Sequence, residues 1–500
     1  MRRLLTPSVP LLLALLPAAA PERGQQPAPN TFTIPLRIGS VGSLWGPDRN
    51  ADHATVAVNS RGDVAVAYHS TRNGYPGAPY PLKQVELAIF TAQPGGGWTM
   101  TQQELLGAIQ RSPLHPALAQ TVVRCERPDV VAVGERFFAV WTRRYDRAFP
   151  GQQREPAVLE CAWLEWNGAR YDVLTGGQPL GQGHPLDSSF AVRECAGVAD
   201  AVALDAGSPS TPARAAVVYA HQTDFGDDPL SLPAFDGTRK ADLRVAIATI
   251  DSARLVTGGA QAEPLVRDVP YDGEPQPLGG IFPALYLPDC TPGTIPDRFW
   301  MAYQEQHAPP SGTVPDGRVR LTICEPVGGA WTVVADEVVG DPQHPAWRHR
   351  AAVDSRPEFA GGLERVSFAY YELTQPNDAD VHYGEWNYVP LTGITPVAWP
   401  PGAEFPNAPN ESDSEPVPLH GGTQPLLRRC YHSHDATVDA VRQYDVHDDR
   451  VRTVAKTPRK IARPAVDLGQ VPGGGQVIAT TWESVPPGGR YLRIMLALEP

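Results

Sequence analysis

Three arginines, Arg127, Arg350 and Arg463, stand just ahead of short runs of small residues, and His53 holds the same place ahead of a fourth run. A guanidinium presents a planar fork that grips a carboxylate or sulfate through two parallel hydrogen bonds, so arginines gathered at one place select an anion. A second set follows the aromatic residues that close a neighbouring run: His69, Thr142 with Arg143, His221, Glu305, Glu372 and Glu483. Carboxylates placed beside a tyrosine or an anion-gripping arginine can serve as acid, base or nucleophile. Glu305, Glu372 and Tyr371 are therefore the candidate catalytic residues. Arg127, Arg350, Arg463, His53 and Glu483 are the candidate ligand-binding ones. Each also fits a plainer role, as a solvated strand end or half of an Arg–Glu fastener.

These residues recur because the segments carrying them recur. The phrase is a run of small and β-branched residues, a turn, and a second run that ends in an aromatic. It reads Ala54–Val58 then Val64–Tyr68, Pro128–Val133 then Phe137–Trp141, Ala199–Leu204 then Ala215–Tyr219. It continues as Phe282–Leu287 then Arg298–Tyr303, Arg350–Asp354 then Val366–Tyr370, and Arg463–Asp467 then Gln476–Trp482. Further strand-like runs follow most copies, as in Gln84–Phe90 and Trp98–Gln102. Four strands recurring every 67 to 84 residues in the first five copies is the size of a propeller blade.

Steric logic orders the strands. Blades converge on an axis, so the innermost strand has least room, and the first run of each phrase carries a small residue: Ala57, Ala132, Ala203, Ala284, Ala352 or Ala465. The expected fold is an all-β propeller of six or seven four-stranded antiparallel blades. The stretch between Tyr370 and Trp482 is too long for one blade and short for two, and it contains a hairpin pattern at Val438–Asp445 and Arg450–Ala455. A lone strand over Thr31–Ile38 and a last strand over Tyr491–Leu498 would share a blade, closing the ring and hiding both edges. The two residue sets above would then ring one mouth of the central channel.

Composition narrows the function classes. A net charge of −13 disfavours the counterion-releasing contacts that nucleic acids require. Only Lys83, Lys240, Lys456 and Lys460 interrupt an otherwise all-arginine basic complement. Arg2 and Arg3, the apolar stretch Leu11–Leu16 and Ala18–Ala20 read as a secretory signal over residues 1–20. A short linker over 21–30 and one propeller over 31–500, with a Pro-rich insertion over 400–430, complete the division. The apolar stretch is too short to span a bilayer. The expected location is secreted or periplasmic.

In that compartment six cysteines favour disulfides, and the first pairing expected is Cys290–Cys324, one in the turn after an inner strand and one ending a third strand. No metal site and no cofactor are expected, although the acidic loops at Asp224–Asp228, Asn377–Asp380 and Asp445–Asp449 would suit calcium. His115, His184 and His344 each precede proline in linker turns, and Arg61-Gly-Asp63 matches an adhesion tripeptide within a tight turn. Phosphate loops, H-E-x-x-H and G-x-S-x-G are absent.

An exported propeller with arginines at its mouth resembles the sialidase superfamily. That resemblance implies a carboxylate gripped by three arginines, here Arg127, Arg350 and Arg463. It also implies a Tyr–Glu nucleophile pair, here Tyr371 with Glu372 or Tyr303 with Glu305. The chain departs from the family in lacking S-x-D-x-G-x-x-W, and Leu36-Arg-Ile-Gly39 replaces the family's Arg-Ile-Pro start. The leading expectation is a non-enzymatic binding protein for a glycan, a small anionic ligand or an extracytoplasmic protein. The alternatives are a glycoside hydrolase or lyase acting on an anionic sugar, and a structural envelope protein.

Overall fold

The computed structural model describes residues 30–35, 48–72, 82–93, 96–108, 110–111, 122–145, 156–192, 199–221, 240–258, 263–270, 273–275, 281–283, 288–307, 316–339, 352–356, 364–375, 378–390, 392–396, 428–435, 438–445, 450–457, 461–471, 475–486 and 492–499. The expected signal segment, Arg350 and most of the 400–430 insertion lie outside them. Among the described residues every regular element is a β-strand, and no helix is long and apolar enough to cross a membrane.

Among the described residues the strands form eight antiparallel sheets; seven, of three or more strands each, are numbered here in chain order, and the eighth is a two-stranded hairpin. Sheet 1 takes Asp48–Val58, Val64–Arg72, Leu82–Ala92 and Trp98–Gly107. Sheet 2 is built on Val122–Val133, Arg136–Tyr145, Pro156–Trp166 and Tyr171–Leu174, and sheet 3 on Ala199–Asp205, Ala213–His221, Lys240–Ile250 and Val256–Gly258. Sheet 4 runs Asp289–Pro292, Phe299–His307, Asp316–Val327 and Ala330–Val339, and sheet 5 Ala352–Arg356, Glu364–Gln375, Asp378–Val389 and Gly393–Pro396. Sheet 6 has Arg428–Asp435, Val438–Asp445 and Arg450–Thr457. Sheet 7 has Ile461–Val471, Gly475–Ser484 and Arg493–Glu499, and its far edge is the chain's first described strand, Asn30–Thr33, paired through Phe32 opposite Leu496.

Side-chain alternation explains the stacking. In Val64–Tyr68 every residue is apolar, because both faces are covered. Val64, Val66 and Tyr68 pack towards Val477, Ala479 and Leu496 of sheet 7. Ala65 and Ala67 pack towards Phe137, Ala139 and Trp141 of sheet 2. The second strand of sheet 2 repeats the division, sending Phe138 and Val140 to sheet 3. In sheet 4, Phe299, Met301 and Tyr303 face sheet 3, and Trp300 and Ala302 face sheet 5. A two-layer sandwich leaves one face of each sheet in water; here successive sheets are stacked face to face, as in a β-propeller. Each fully buried Val or Phe in these layers contributes roughly 1.5–3 kcal/mol.

The first strands of successive sheets pack on one another from sheet 7 to sheet 1 and on through sheets 2, 3, 4 and 5. Inner-strand carboxylates tie them. Asp467 of sheet 7 accepts the Val58 N–H at 2.7 Å, Asp129 accepts Ala201 N–H at 2.8 Å, and Asp200 accepts Cys290 N–H at 2.7 Å.

One expectation left open is filled, with the hairpin at Val438–Asp445 and Arg450–Thr457 in place, and two change. The long interval before Trp482 holds a sheet of its own, sheet 6, whose inner strand Arg428–Asp435 lacks the small-residue run that marks the others. Phe282 pairs with Glu274 in a separate two-stranded hairpin, and sheet 4 opens instead on Asp289–Pro292. Cys290 and Cys324 are free thiols, with no bridge between them, and Cys161 is free as well. These three and Cys125 sit in apolar layers between sheets, where a thiol packs as a small hydrophobe.

Candidate functional site

In three sheets the register brings a residue of one sequence-predicted set next to a residue of the other. In sheet 1 Asp52 pairs with His69, in sheet 2 Glu126 pairs with Thr142, and in sheet 7 Ala462 pairs with Glu483. Each pair is followed by a bulge that skips two residues of the inner strand: His53-Ala54, Arg127-Pro128 and Arg463-Pro464. The residue types ahead of the small runs thus mark one repeated structural position. Bulges of this kind turn side chains away from the regular alternation, and they gather beside functional sites.

Backbone conformation singles out two of the three. His53 and Arg127 both adopt φ of 51°, a left-handed conformation that costs a residue with a Cβ about 1–2 kcal/mol. Each bulge is tethered to the preceding sheet: His53 N–H donates to Glu483 Oε1 at 2.7 Å, and Arg127 N–H lies 3.4 Å from His69 Nδ1. Glu483 and His69 are buried while Arg127 is exposed, so the anchors are internal and the arginine lies at the surface. For Arg463 the strand pairing alone is described.

Around His53 the polar groups are dense. The His53 and His69 rings stack with centroids 4.5 Å apart. His53 Nδ1 lies 3.5 Å from Asp52 Oδ1, and His69 Nε2 is in direct contact with the same oxygen. Burial alone would raise the Asp52 carboxyl, but hydrogen bonds and positive charge from His53 and His69 hold it below the usual carboxylate range. Asp52 was not singled out in the sequence. Adjacency to His53 does not mark it, because neighbours on a regular strand face opposite ways.

Other predicted residues serve the scaffold. Arg143 is buried and donates to Glu160 through Nε at 2.5 Å and Nη2 at 2.8 Å; Trp141 Nε1 and Gly183 N–H donate to the same carboxylate. Glu364 likewise accepts from Arg298, Trp300 and Thr294, joining sheets 4 and 5. Glu305 pairs with Arg320 at 2.9 Å, and Arg320 also reaches Asp336. Arg61 of the adhesion-like tripeptide lies 4.7 Å over the Trp166 ring and pairs with Asp63, which takes the Tyr171 hydroxyl at 2.7 Å. That turn fastens sheet 1 to sheet 2. Tyr371 and Glu372 occupy sheet 5 opposite Val381 and Asp380, with side chains outside the described set, as are those of the acidic loops.

No family model and no curated protein matches the chain. Solved structures show a weak likeness. The NanB structure with Optactamide aligns at a TM-score of 0.39 and 9% identity, over 95% of this chain and 70% of that one. The α-L-arabinofuranosidase Arb93A from Fusarium graminearum, with an iminosugar inhibitor, aligns at 0.38 and 10% identity over 95% and 98%. The β-propeller domain of the Trilobed protease from Pyrococcus furiosus aligns at 0.33 and 9% identity over 89% and 94%. At these scores the likeness is one of general architecture, weakly that of sialidase-like propeller proteins, and it carries nothing about chemistry.

Proposed function

We propose that this chain is an exported β-propeller of seven blades, closed by the pairing of its first and last strands, that binds an anionic ligand at the channel mouth. The ligand class is a carboxylated or sulfated glycan, a small anion, or an acidic segment of an extracytoplasmic protein. One observation carries the reading: equivalent bulges of sheets 7, 1 and 2 hold Arg463, His53 and Arg127, and the latter two are strained non-glycine residues. Left-handed strain persists where surrounding structure holds it in place, and it concentrates at ligand clamps. An exposed arginine on a tethered bulge is preorganised for a carboxylate, which lowers the ordering cost of binding.

The test is a glycan and protein array read with the parent and with Arg127→Ala, Arg350→Ala and Arg463→Ala. Binding lost with Arg127→Ala and Arg463→Ala is the expected result. Unchanged binding in all three removes the mouth as the site.

The rival is hydrolysis of an anionic sugar with Glu305 or Glu372 as the reacting carboxylate. Sheet 4 gives it little support, since Arg320 already neutralises Glu305. A chromogenic glycoside screen separates the two: turnover abolished by Glu372→Ala would replace the binding reading with an enzymatic one.

A further inference from the structure

Along a regular strand, Asp52 and His53 would point to opposite faces of sheet 1. The bulge between Asp52 and Thr55, with its left-handed residue at His53, breaks that alternation. It sets both side chains beside His69, which lies directly across from Asp52. One ligand-type atom from each of the three residues lies within 4.8 Å of the other two. The His69 side chain is fully buried, whereas Asp52 and His53 keep 21% and 27% of theirs exposed. The cluster therefore has a closed floor and an opening to solvent.

We propose that Asp52, His53 and His69 form a binding site for a divalent first-row transition metal, with zinc the best fit. Two imidazoles and one carboxylate favour such ions, whereas magnesium and calcium prefer oxygen donors throughout. Zinc takes nitrogen at about 2.0–2.1 Å and carboxylate oxygen at about 2.0–2.2 Å. Three protein donors leave a fourth position open on the solvent side. Glu483, by holding the His53 N–H at 2.7 Å, fixes the bulge that aims the ligand, the usual task of groups behind a metal's own ligands.

The same atoms can instead form a purely hydrogen-bonded triad. In that state His69 Nε2–H donates to Asp52 and Nδ1 accepts the long contact from Arg127 N–H. Metal on Nε2 moves the ring proton to Nδ1 and gives up that 3.4 Å contact. It also requires the His53 ring to turn out of its stack on His69, which its partial exposure allows. The site shares His53 with the mouth proposed above, but metal binding is measured without the anionic ligand.

The experiment uses the full chain after chelator treatment, titrated with zinc by calorimetry and with cobalt by visible absorption. The expected result is one saturable equivalent and an intense four-coordinate cobalt spectrum. His53→Ala and Asp52→Asn should each weaken binding on the order of 100-fold or more, beyond the 10–100-fold typical of losing an outer partner. Both positions are partly exposed, and thermal unfolding of each variant in chelator checks that the fold is kept. Zinc should raise the melting temperature of the parent and leave His53→Ala unmoved. No saturable equivalent, or one that both variants retain, overturns the site and leaves the hydrogen-bonded triad in its place.

Discussion

The backbone N–H of Arg127 in sheet 2 lies 3.4 Å from Nδ1 of His69 in sheet 1, so a strained bulge in one sheet is seated on a buried ring of the next. The same relation holds one sheet earlier, between His53 and Glu483. A residue with a Cβ bears the cost of the left-handed conformation at Arg127, and glycine would not.

Arg127→Gly should therefore raise stability by about 0.5–1 kcal/mol while removing the guanidinium. Chemical denaturation of the two proteins, alongside the array, measures both effects. A variant that is less stable would show that the arginine side chain holds the bulge together, and that strain was not kept for function.

How far the sequence went is clearest in sheets 1 and 2. The small-then-aromatic phrase located Ala57 and Tyr68, Ala132 and Trp141, because steric crowding near the axis and packing between blades act on every copy alike. It missed Arg428–Asp435, whose polar composition carries no such mark, and misplaced Phe282, since apolar residues near an inner strand look the same whichever partner they take. His53, Arg127 and Glu483 were legible as a set by position. Asp52 was not, because a bulge reverses the face a residue occupies and leaves no pattern in composition. Arg143 looked like a mouth residue, yet its partner Glu160 lies 17 positions on in the neighbouring strand of sheet 2. Only register brings them together.

Two inner-strand carboxyls set a pH dependence. Burial pushes Asp467 up to about 7, helped by the charge of Asp129 and opposed by N–H donors from Val58 and Leu468. Burial likewise takes Asp129 to about 6, against N–H donors from Ala201 and Val130. Both values exceed the unfolded value near 3.9. Between about pH 4 and 7 the folded state thus holds protons that the unfolded state has released, and stability falls as pH rises. The parent should melt at a lower temperature at pH 8 than at pH 5. Asp467→Asn keeps an acceptor without the charge and should lose less over that interval. A parent curve that rises with pH would refute the assignment.

The thiols should be silent in the native protein. Burial raises Cys161 and Cys290 well above the ordinary thiol range and takes Cys324 to about 12. The thiolate is the reacting form. Iodoacetamide at pH 8 should leave all three unlabelled until denaturant is added, and mapping without reduction should find Cys290 and Cys324 unbridged. A Cys290–Cys324 peptide in that map would restore the disulfide expected from sequence.

At Gly469 sheet 7 lies directly against Val58 of sheet 1. A Cβ added there would lie 2.1 Å from Val58 Cγ1, 2.5 Å from Val58 Cβ and 3.2 Å from its carbonyl oxygen. Val58 N–H is meanwhile fixed to Asp467, two residues earlier on the same strand, so the valine backbone has little room to retreat. Gly469→Ala should cost about 1–3 kcal/mol by overpacking. Val58→Ala removes the nearest methyl but leaves the Cβ, so the double variant should recover part of that cost. A coupling of about 1 kcal/mol in the cycle is expected for side chains in contact. Simple additivity would mean that these strands do not abut in solution. The first and last sheets would then not be neighbours, and the contact that joins Glu483 to His53 would not exist.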